Sequence, residues 1–438
     1  MLHMSENRQI DNMKGPSPIM RLRSKATNVV RSTFWRALVT VLSGSVIAQS
    51  IPIIGYLFIA RIFAPGEFGI FAAWLGVVSV LGVGLTMRLE KTYVILAGKS
   101  ERTQGLFATL VVILSNLSCV GLGVFMVSFF VALPVAPPVI ALCLLAAGLT
   151  AFVQSLMAWL GANGFFKSLS FARISQTFFI AIFQIGFGLF EANSLSIMGG
   201  YIIGQLFCIL AVWAVLSTVR RSWSATQFSL VGVKRFIVKH KKFPIFSLPA
   251  DLTNAFTAQF PVVFIGAYIG VLEAGVYAMA IKVLGAPIGL LGAAVLDVFR
   301  REAAIEYRES GACKQSYGRT FRVLTTAAIF MVFGVYFLAD FVFTTFFGDQ
   351  WALSAEIAVL LLPMFAMRLV ASPLSYIVYI ADRQQVDLVW QIALLIVTLL
   401  AFFMSDGFLD TLFHFGSAYA VMYVIYLLMS YQIAQGRR

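Results

Sequence analysis

Charge is scarce in this chain: only 12% of its 438 residues are Asp, Glu, Lys or Arg, about half the ~25% of a soluble domain. So few charges cannot cover a water-facing surface. Carboxylates are the scarcest, 19 against 32 Lys and Arg. Histidine occurs three times (His3, His240, His414), too scattered for a metal cluster or histidine catalysis. The four cysteines have no metal-ligand spacing and do not form a disulfide framework. No Gly-x-x-x-x-Gly-Lys-Ser/Thr phosphate loop occurs, so ATP is not expected to drive the protein directly. No cofactor is expected, and a coupling ion (H+ or Na+) or the flow of substrate is left to supply energy.

What fills the chain is apolar: 60% of residues are hydrophobic and the mean hydropathy is +0.90. A membrane-spanning helix needs about 20 such residues. Twelve stretches qualify: 37–60, 68–87, 104–132, 135–160, 170–190, 196–217, 244–270, 275–298, 321–346, 354–380, 387–405 and 411–434. The predicted fold class is all-α, a polytopic membrane protein of twelve transmembrane helices. The third and fourth are parted only by Leu133-Pro134-Val135-Ala136-Pro137-Pro138, a helix stop. A long polar tail ahead of Ala37 argues against a cleaved signal peptide.

The basic residues set the orientation. Of the 32 Lys and Arg, 29 fall in the two tails, in the even-numbered connections or, as Arg173 and Arg322, within a turn of such a connection. Arg61 alone lies in an odd-numbered connection, and Lys282 and Arg368 lie inside apolar stretches. Positive residues stay cytoplasmic during insertion, so both termini are expected in the cytoplasm. The net charge of +13 then reflects insertion and attraction to membrane lipids; no nucleic-acid partner is expected. The other connections are short and acidic, carrying Glu67, Glu191, Glu273, Asp340, Asp349, Glu356, Asp406 and Asp410.

The domain plan follows. Residues 1–36 form a basic tail, 37–217 a first lobe of six helices, 218–243 a basic linker with amphipathic helical character, 244–434 a second lobe of six, and 435–438 a short tail. The lobes repeat. Gln49-Ser50-Ile51-Pro52 and then Glu67-Phe68-Gly69 have counterparts in Gln259-Phe260-Pro261 and Glu273-Ala274-Gly275, the latter block offset by 206 residues. Each half has an even number of spans, so the repeats run parallel. This plan suits a transporter with its site between the halves.

Arg368 is the sharpest single residue, at mid-span between Pro363 and Pro373. A charge there costs at least ~2.5 kcal/mol on the insertion scale, so it should face a wet cavity or another helix. It can bind an anion, or pair with carbonyls freed by the prolines. Lys282 lies about 10 Å into its helix at helical rise, either facing the cavity or snorkelling. Asp251 and Asn254 share a helix face at i, i+3, with Gln259 and Pro261 following. Asp251 reads as a coupling or gating carboxylate or as a partner for Lys282 or Arg368. Pro52 and Pro261 are the expected bending points. Arg61 either pairs with Glu67 or lines the outer mouth. The amides Gln49, Asn116, Gln154, Gln176, Gln184, Gln205 and Gln391 suit sugar recognition or interhelical hydrogen bonding equally.

Three segments carry a resemblance: Ala60-Arg61-Ile62-Phe63-Ala64-Pro65-Gly66-Glu67-Phe68-Gly69-Ile70-Phe71; Leu248-Pro249 leading to Gly270-Val271-Leu272-Glu273-Ala274-Gly275-Val276-Tyr277-Ala278; and Phe347-Gly348-Asp349-Gln350-Trp351. With these the chain resembles the superfamily of oligosaccharide flippases, lipid II flippases and multidrug extruders, and looks like its O-antigen or exopolysaccharide branch. The resemblance implies two six-helix lobes in a V that opens alternately to either face. It also implies a cationic cavity taking an undecaprenyl-pyrophosphate-linked oligosaccharide. The expected activity is flipping that lipid-linked glycan, with no enzymatic step. Arg368, Lys282, Arg61, Asn254 and Gln259 are the substrate-binding candidates, and Asp251, Pro52 and Pro261 the coupling or gating ones. Membrane lipids, a glycan polymerase and other assembly proteins are the partners such a protein would have. Two other functions compete: a multidrug or cation antiporter of the same superfamily, and a membrane glycan polymerase or ligase.

Overall fold

The computed structural model describes residues 51–436 apart from 52, 132–135, 216–228 and 406. The tail of residues 1–36, Gln49, Pro52, the turn residues Leu133, Pro134 and Val135, linker residues 218–228, Asp406, Arg437 and Arg438 lie outside the described residues. Within them the chain is helical, and no strand occurs among the described residues. Among the described residues, which leave out positions 37–50 of the first apolar stretch, eleven helices are long and apolar enough to cross a membrane, and a shorter apolar helix, Ile53–Ile62, precedes them. We label this short helix α1. The rest of the first half is α2 (Pro65–Leu85), α3 (Lys99–Ser128), α4 (Pro137–Ala162), α5 (Phe166–Phe190) and α6 (Ser194–Val215). The linker contributes α7 (Leu230–Lys239). The second half is α8 (Phe243–Ile269), α9 (Val271–Ser310), α10 (Lys314–Phe347), the short α11 (Ala352–Leu360), α12 (Leu362–Ile380), α13 (Gln384–Phe403) and α14 (Phe408–Ala434).

Proline and glycine punctuate these helices. Pro65 and Pro137 open α2 and α4, positions where a missing N–H costs nothing. The tenth apolar stretch, expected as one helix, is two: it breaks at Leu361, just ahead of Pro363. It loosens again past Pro373, where the Tyr376 amide bonds the Pro373 carbonyl at 3.4 Å. Several helices outrun their apolar stretch. α9 continues to Ser310, and its last turns carry Arg300, which pairs with Asp297 at 2.9 Å, and Glu302, which pairs with Arg319 at 3.2 Å. Hydropathy marks the part of a helix inside lipid, whereas backbone hydrogen bonding runs on into water.

The expected amphipathic helix of the linker is α7. Ser229 caps it, accepting from the Gly232 amide at 3.4 Å. Val233 and Phe236 are buried where α7 packs on α3, while Lys234, Arg235 and Lys239 are exposed. The amide question also resolves. Gln176 donates to Gln205 at 3.0 Å, Gln205 donates to Tyr201 at 2.9 Å, Gln184 to the Ile197 carbonyl at 3.2 Å, and Asn116 to the Leu85 carbonyl at 3.1 Å. These four tie helices together, and Gln391 of that group lines a cavity.

The internal repeat meets itself. A Cβ on Gly69 would run into the Val271 carbonyl and the Gly275 amide, and a Cβ on Gly275 into the Pro65 carbonyl and the Gly69 amide. These contacts are reciprocal under the offset of 206 residues, as for two elements related by a local two-fold. Both positions need glycine because backbone touches backbone there. From this crossing α2 continues along α8, with Gly76 against Val262, Val263 and Gln259, and Gly84 near Leu252. The V implied by the resemblance is therefore closed in this state.

Candidate functional site

The two halves are joined differently at their two ends. At the end carrying the acidic connections, Arg61 donates from Nε to the Phe346 carbonyl at 3.1 Å and from its other terminal nitrogen to the Thr345 carbonyl. The Ala60 carbonyl accepts from Gln350 Nε2 at 2.7 Å and from the buried Trp351 Nε1 at 2.8 Å. The Trp351 ring stands edge-on to Phe68, centroids 5.6 Å apart. Arg61 does not pair with Glu67, which instead accepts from the Ser194 amide at 2.5 Å. The carbonyls at the end of α10 lack helical partners, and the Arg61 guanidinium, with several N–H donors, satisfies two of them.

Midway, Lys282 of α9 donates to the Tyr56 hydroxyl of α1 at 2.8 Å, with its ammonium 4.6 Å from the centre of that ring. This contact also crosses between the halves. A cation against an aromatic face keeps part of its stabilisation when desolvated.

At the basic end, Asp251 of α8 takes two cations from the other half. Arg88 Nε lies 2.6 Å and Lys91 Nζ 2.5 Å from the same oxygen, Oδ2. Asp251 is therefore partnered by neither Lys282 nor Arg368. Arg88 and Lys91 sit at a short 3-10 helix, Leu89–Ile95, which hydropathy left as a plain connection.

Beside Asp251 opens a polar cavity of about 280 Å³, lined from α8, α12, α13 and α14. Asn254 and Arg368 both line it. Arg368 is exposed within it and makes no hydrogen bond or ion pair among the described residues, so the carbonyls loosened by Pro373 do not hold it. Its charge reaches Tyr277, Tyr419 and Tyr423. Across the cavity lies Asp387, which the sequence reading did not single out. Its Oδ2 accepts from Tyr379 and from Gln391, each at 2.7 Å, and its Oδ1 from Tyr426. Trp390 stacks on Tyr426, centroids 4.2 Å apart and planes 13° apart.

Of the residues singled out from the sequence, the cavity gathers Arg368 and Asn254. Lys282 and Arg61 hold the halves together, Gln259 packs near Gly76 where α2 meets α8, and Pro261 is buried within α8. Asp387 escaped notice because it opens an apolar stretch, where a carboxylate reads as an interfacial charge. The spacing of Tyr419, Tyr423, Tyr426 and Ser430 was the available signal, since steps of four, three and four put them on one helix face.

A cavity with one free guanidinium, a carboxylate held by tyrosines, two amides and flat aromatic faces can bind a polar, anionic, hydroxyl-rich group. The chain is 22% identical over 243 residues to the teichuronic acid biosynthesis protein TuaB of Bacillus subtilis (strain 168), covering 54% of this chain and 49% of that protein. It is 24% identical over 165 residues to the succinoglycan biosynthesis transport protein ExoT of Rhizobium meliloti (strain 1021), covering 35% and 33%. The matches thus span half or less of these curated relatives. Among solved structures, the lipid II flippase MurJ in an inward closed conformation has a TM-score of 0.64 at 12% identity, covering 90% of this chain and 87% of that one. A multidrug resistance MATE family transporter of the MOP superfamily, outward-facing, has a TM-score of 0.54 at 13% identity, covering 90% and 94%. Both share this fold, and the protein is a multi-pass membrane protein. The family model described as "Polysaccharide biosynthesis protein" matches residues 58–356, well over half of the chain, and the chain belongs to that family.

Proposed function

We propose that this protein is a flippase that moves undecaprenyl-pyrophosphate-linked oligosaccharide units across the bacterial inner membrane for surface polysaccharide assembly. A glycan head group cannot cross lipid bare, because each hydroxyl would lose its water. A polar path between two six-helix lobes, alternately open to either face, replaces that water. The observation that carries the reading is Arg368, a guanidinium inside a membrane helix that lines a polar cavity with no hydrogen-bond or ion-pair partner among the described residues. An unpaired charge at membrane depth is expensive, and a pyrophosphate or acidic sugar would supply the missing anion. The less buried rings of Tyr376 and Tyr379 in the same cavity suit a sugar ring. The basic end faces the cytoplasm in this reading, with both termini there. An H+ or Na+ gradient, or glycan flow itself, drives transport; a polymerase and other assembly proteins take the product.

Arg368→Ala should abolish surface glycan while leaving protein in the membrane at normal level, with Arg368→Lys keeping part of the activity. Normal surface glycan in the alanine strain refutes the reading. A MATE-like drug exporter is the competing function, favoured by the shared fold and the carboxylate of Asp387. Arg368 in the same cavity works against a cationic drug. Drug-resistance assays in an exporter-deficient host separate the two. A polymerase or ligase would lengthen lipid-linked repeat units when the purified protein is incubated with them.

A further inference from the structure

Arg88, Lys91 and Asp251 do more than join two helices. The two cations belong to one half of the molecule and the carboxylate to the other, and both cations converge on a single oxygen. Met87 and Arg88 hold the left-handed backbone conformation, φ 47° and 58°, which non-glycine residues adopt at a cost. That turn starts the short 3-10 helix from which Arg88 and Lys91 reach α8. Glu90 also accepts from Arg88, at 3.1 Å, so the cluster is neutral as two cations against two carboxylates.

The acidic-end seam is of another kind. There backbone touches backbone at Gly69 and Gly275, and Trp351 is buried. At the basic end Gly84 has only ordinary van der Waals contact with Leu252, and the Lys91 side chain is 43% exposed. A partly exposed ion pair is the weaker joint, because water and salt compete for its charges. The cluster also borders the cavity. Asn254, one turn beyond Asp251, lines it, and Tyr379, which holds Asp387, lies within electrostatic reach of Asp251.

We propose that Arg88, Lys91 and Asp251 form a latch between the halves that an incoming dianionic head group opens. In the closed state the Asp251 carboxylate occupies the place of an anion. A diphosphate brings more charge and more acceptor oxygens to Arg88 and Lys91. It displaces Asp251 and then repels it, so binding and opening are one event. Arg88 and Lys91 thereby become the entry site for the anionic group, ahead of Arg368. The anion part of this assignment rests on the flippase reading; the latch itself does not.

The test is hydrogen exchange on the full-length protein in phosphatidylcholine nanodiscs, following peptides that cover residues 86–95 and 248–254. The probe is inorganic pyrophosphate, with sodium chloride at matched ionic strength as control. Pyrophosphate should speed exchange in both segments by roughly threefold or more, and chloride by much less. Asp251→Asn should exchange fast without any anion and respond little to pyrophosphate, while Asp251→Glu should behave as wild type. Slow, wild-type exchange in Asp251→Asn overturns the latch. Equal effects of chloride and pyrophosphate overturn its operation by a dianion. No glycan lipid enters this experiment, so its outcome is independent of the export assay on Arg368.

Discussion

At the scale of single residues, the cavity's strongest structural element is Asp387 rather than Arg368. Three donors converge on its carboxylate. Removing the acceptor from a buried donor, as Tyr426 is, costs about 1–3 kcal/mol. Asp387→Ala should therefore lower the thermal unfolding midpoint in detergent clearly, and Tyr426→Phe should lower it less; unchanged midpoints contradict the assignment. His240 offers a pH test outside the membrane-spanning helices. It is buried against Phe236, ring centroids 4.6 Å apart, and its Nε2 finds no partner among the described residues. Burial, then the charge of Lys239, lowers its pKa below the ordinary imidazole value. A depressed imidazole contributes stability above the unfolded value of ~6.5 that is lost as pH falls. The unfolding midpoint should drop on acidification, and His240→Phe should flatten part of that drop. Arg368 was legible from the sequence, since a lone charge amid apolar residues needs no structure to be noticed. Asp387 was not, because its significance lies in three donors brought from α12, α13 and α14.

At the scale of elements, the motifs that carry the family resemblance prove to be joints. Ala60 and Arg61, Gly69 with Gly275, and Gln350 with Trp351 all meet at the acidic-end seam. They mark how the halves close, which explains why they are informative about the family and silent about the sugar. A methyl group at Gly69 or Gly275 has only backbone to push against. Gly69→Ala and Gly275→Ala should each loosen this seam by about 1–3 kcal/mol. A cysteine placed at Ile62 should then gain reactivity toward a membrane-impermeant reagent; unaltered labelling refutes the packing argument. The helix break ahead of Pro363 was foreseeable, since proline has no N–H to bond back along a continuous helix. The left-handed turn at Met87 and Arg88 was not, because neither residue type favours that conformation.

At the scale of the whole molecule, the charge pattern predicts one topology. A phosphatase fusion after Lys242 should be inactive, as a cytoplasmic reporter is, and one at Glu273 active. The opposite pattern would invert every assignment of inner and outer face made above. The reciprocal contacts of Pro65 and Gly69 with Val271 and Gly275 place the internal repeat at the heart of the closure.

Hydropathy and charge bias are read locally, one helix at a time, as the chain enters the bilayer. The sequence by itself therefore determined that the chain is a helical membrane protein, where most spans lie, and that its halves repeat. Which cations stay free and which are spent on holding the halves together was decided only by tertiary structure. Arg61, Lys282 and Arg88 find their partners between about 160 and 290 positions away along the chain, and no local pattern specifies such a pairing. Arg368 stands apart from them because the fold left it facing a cavity.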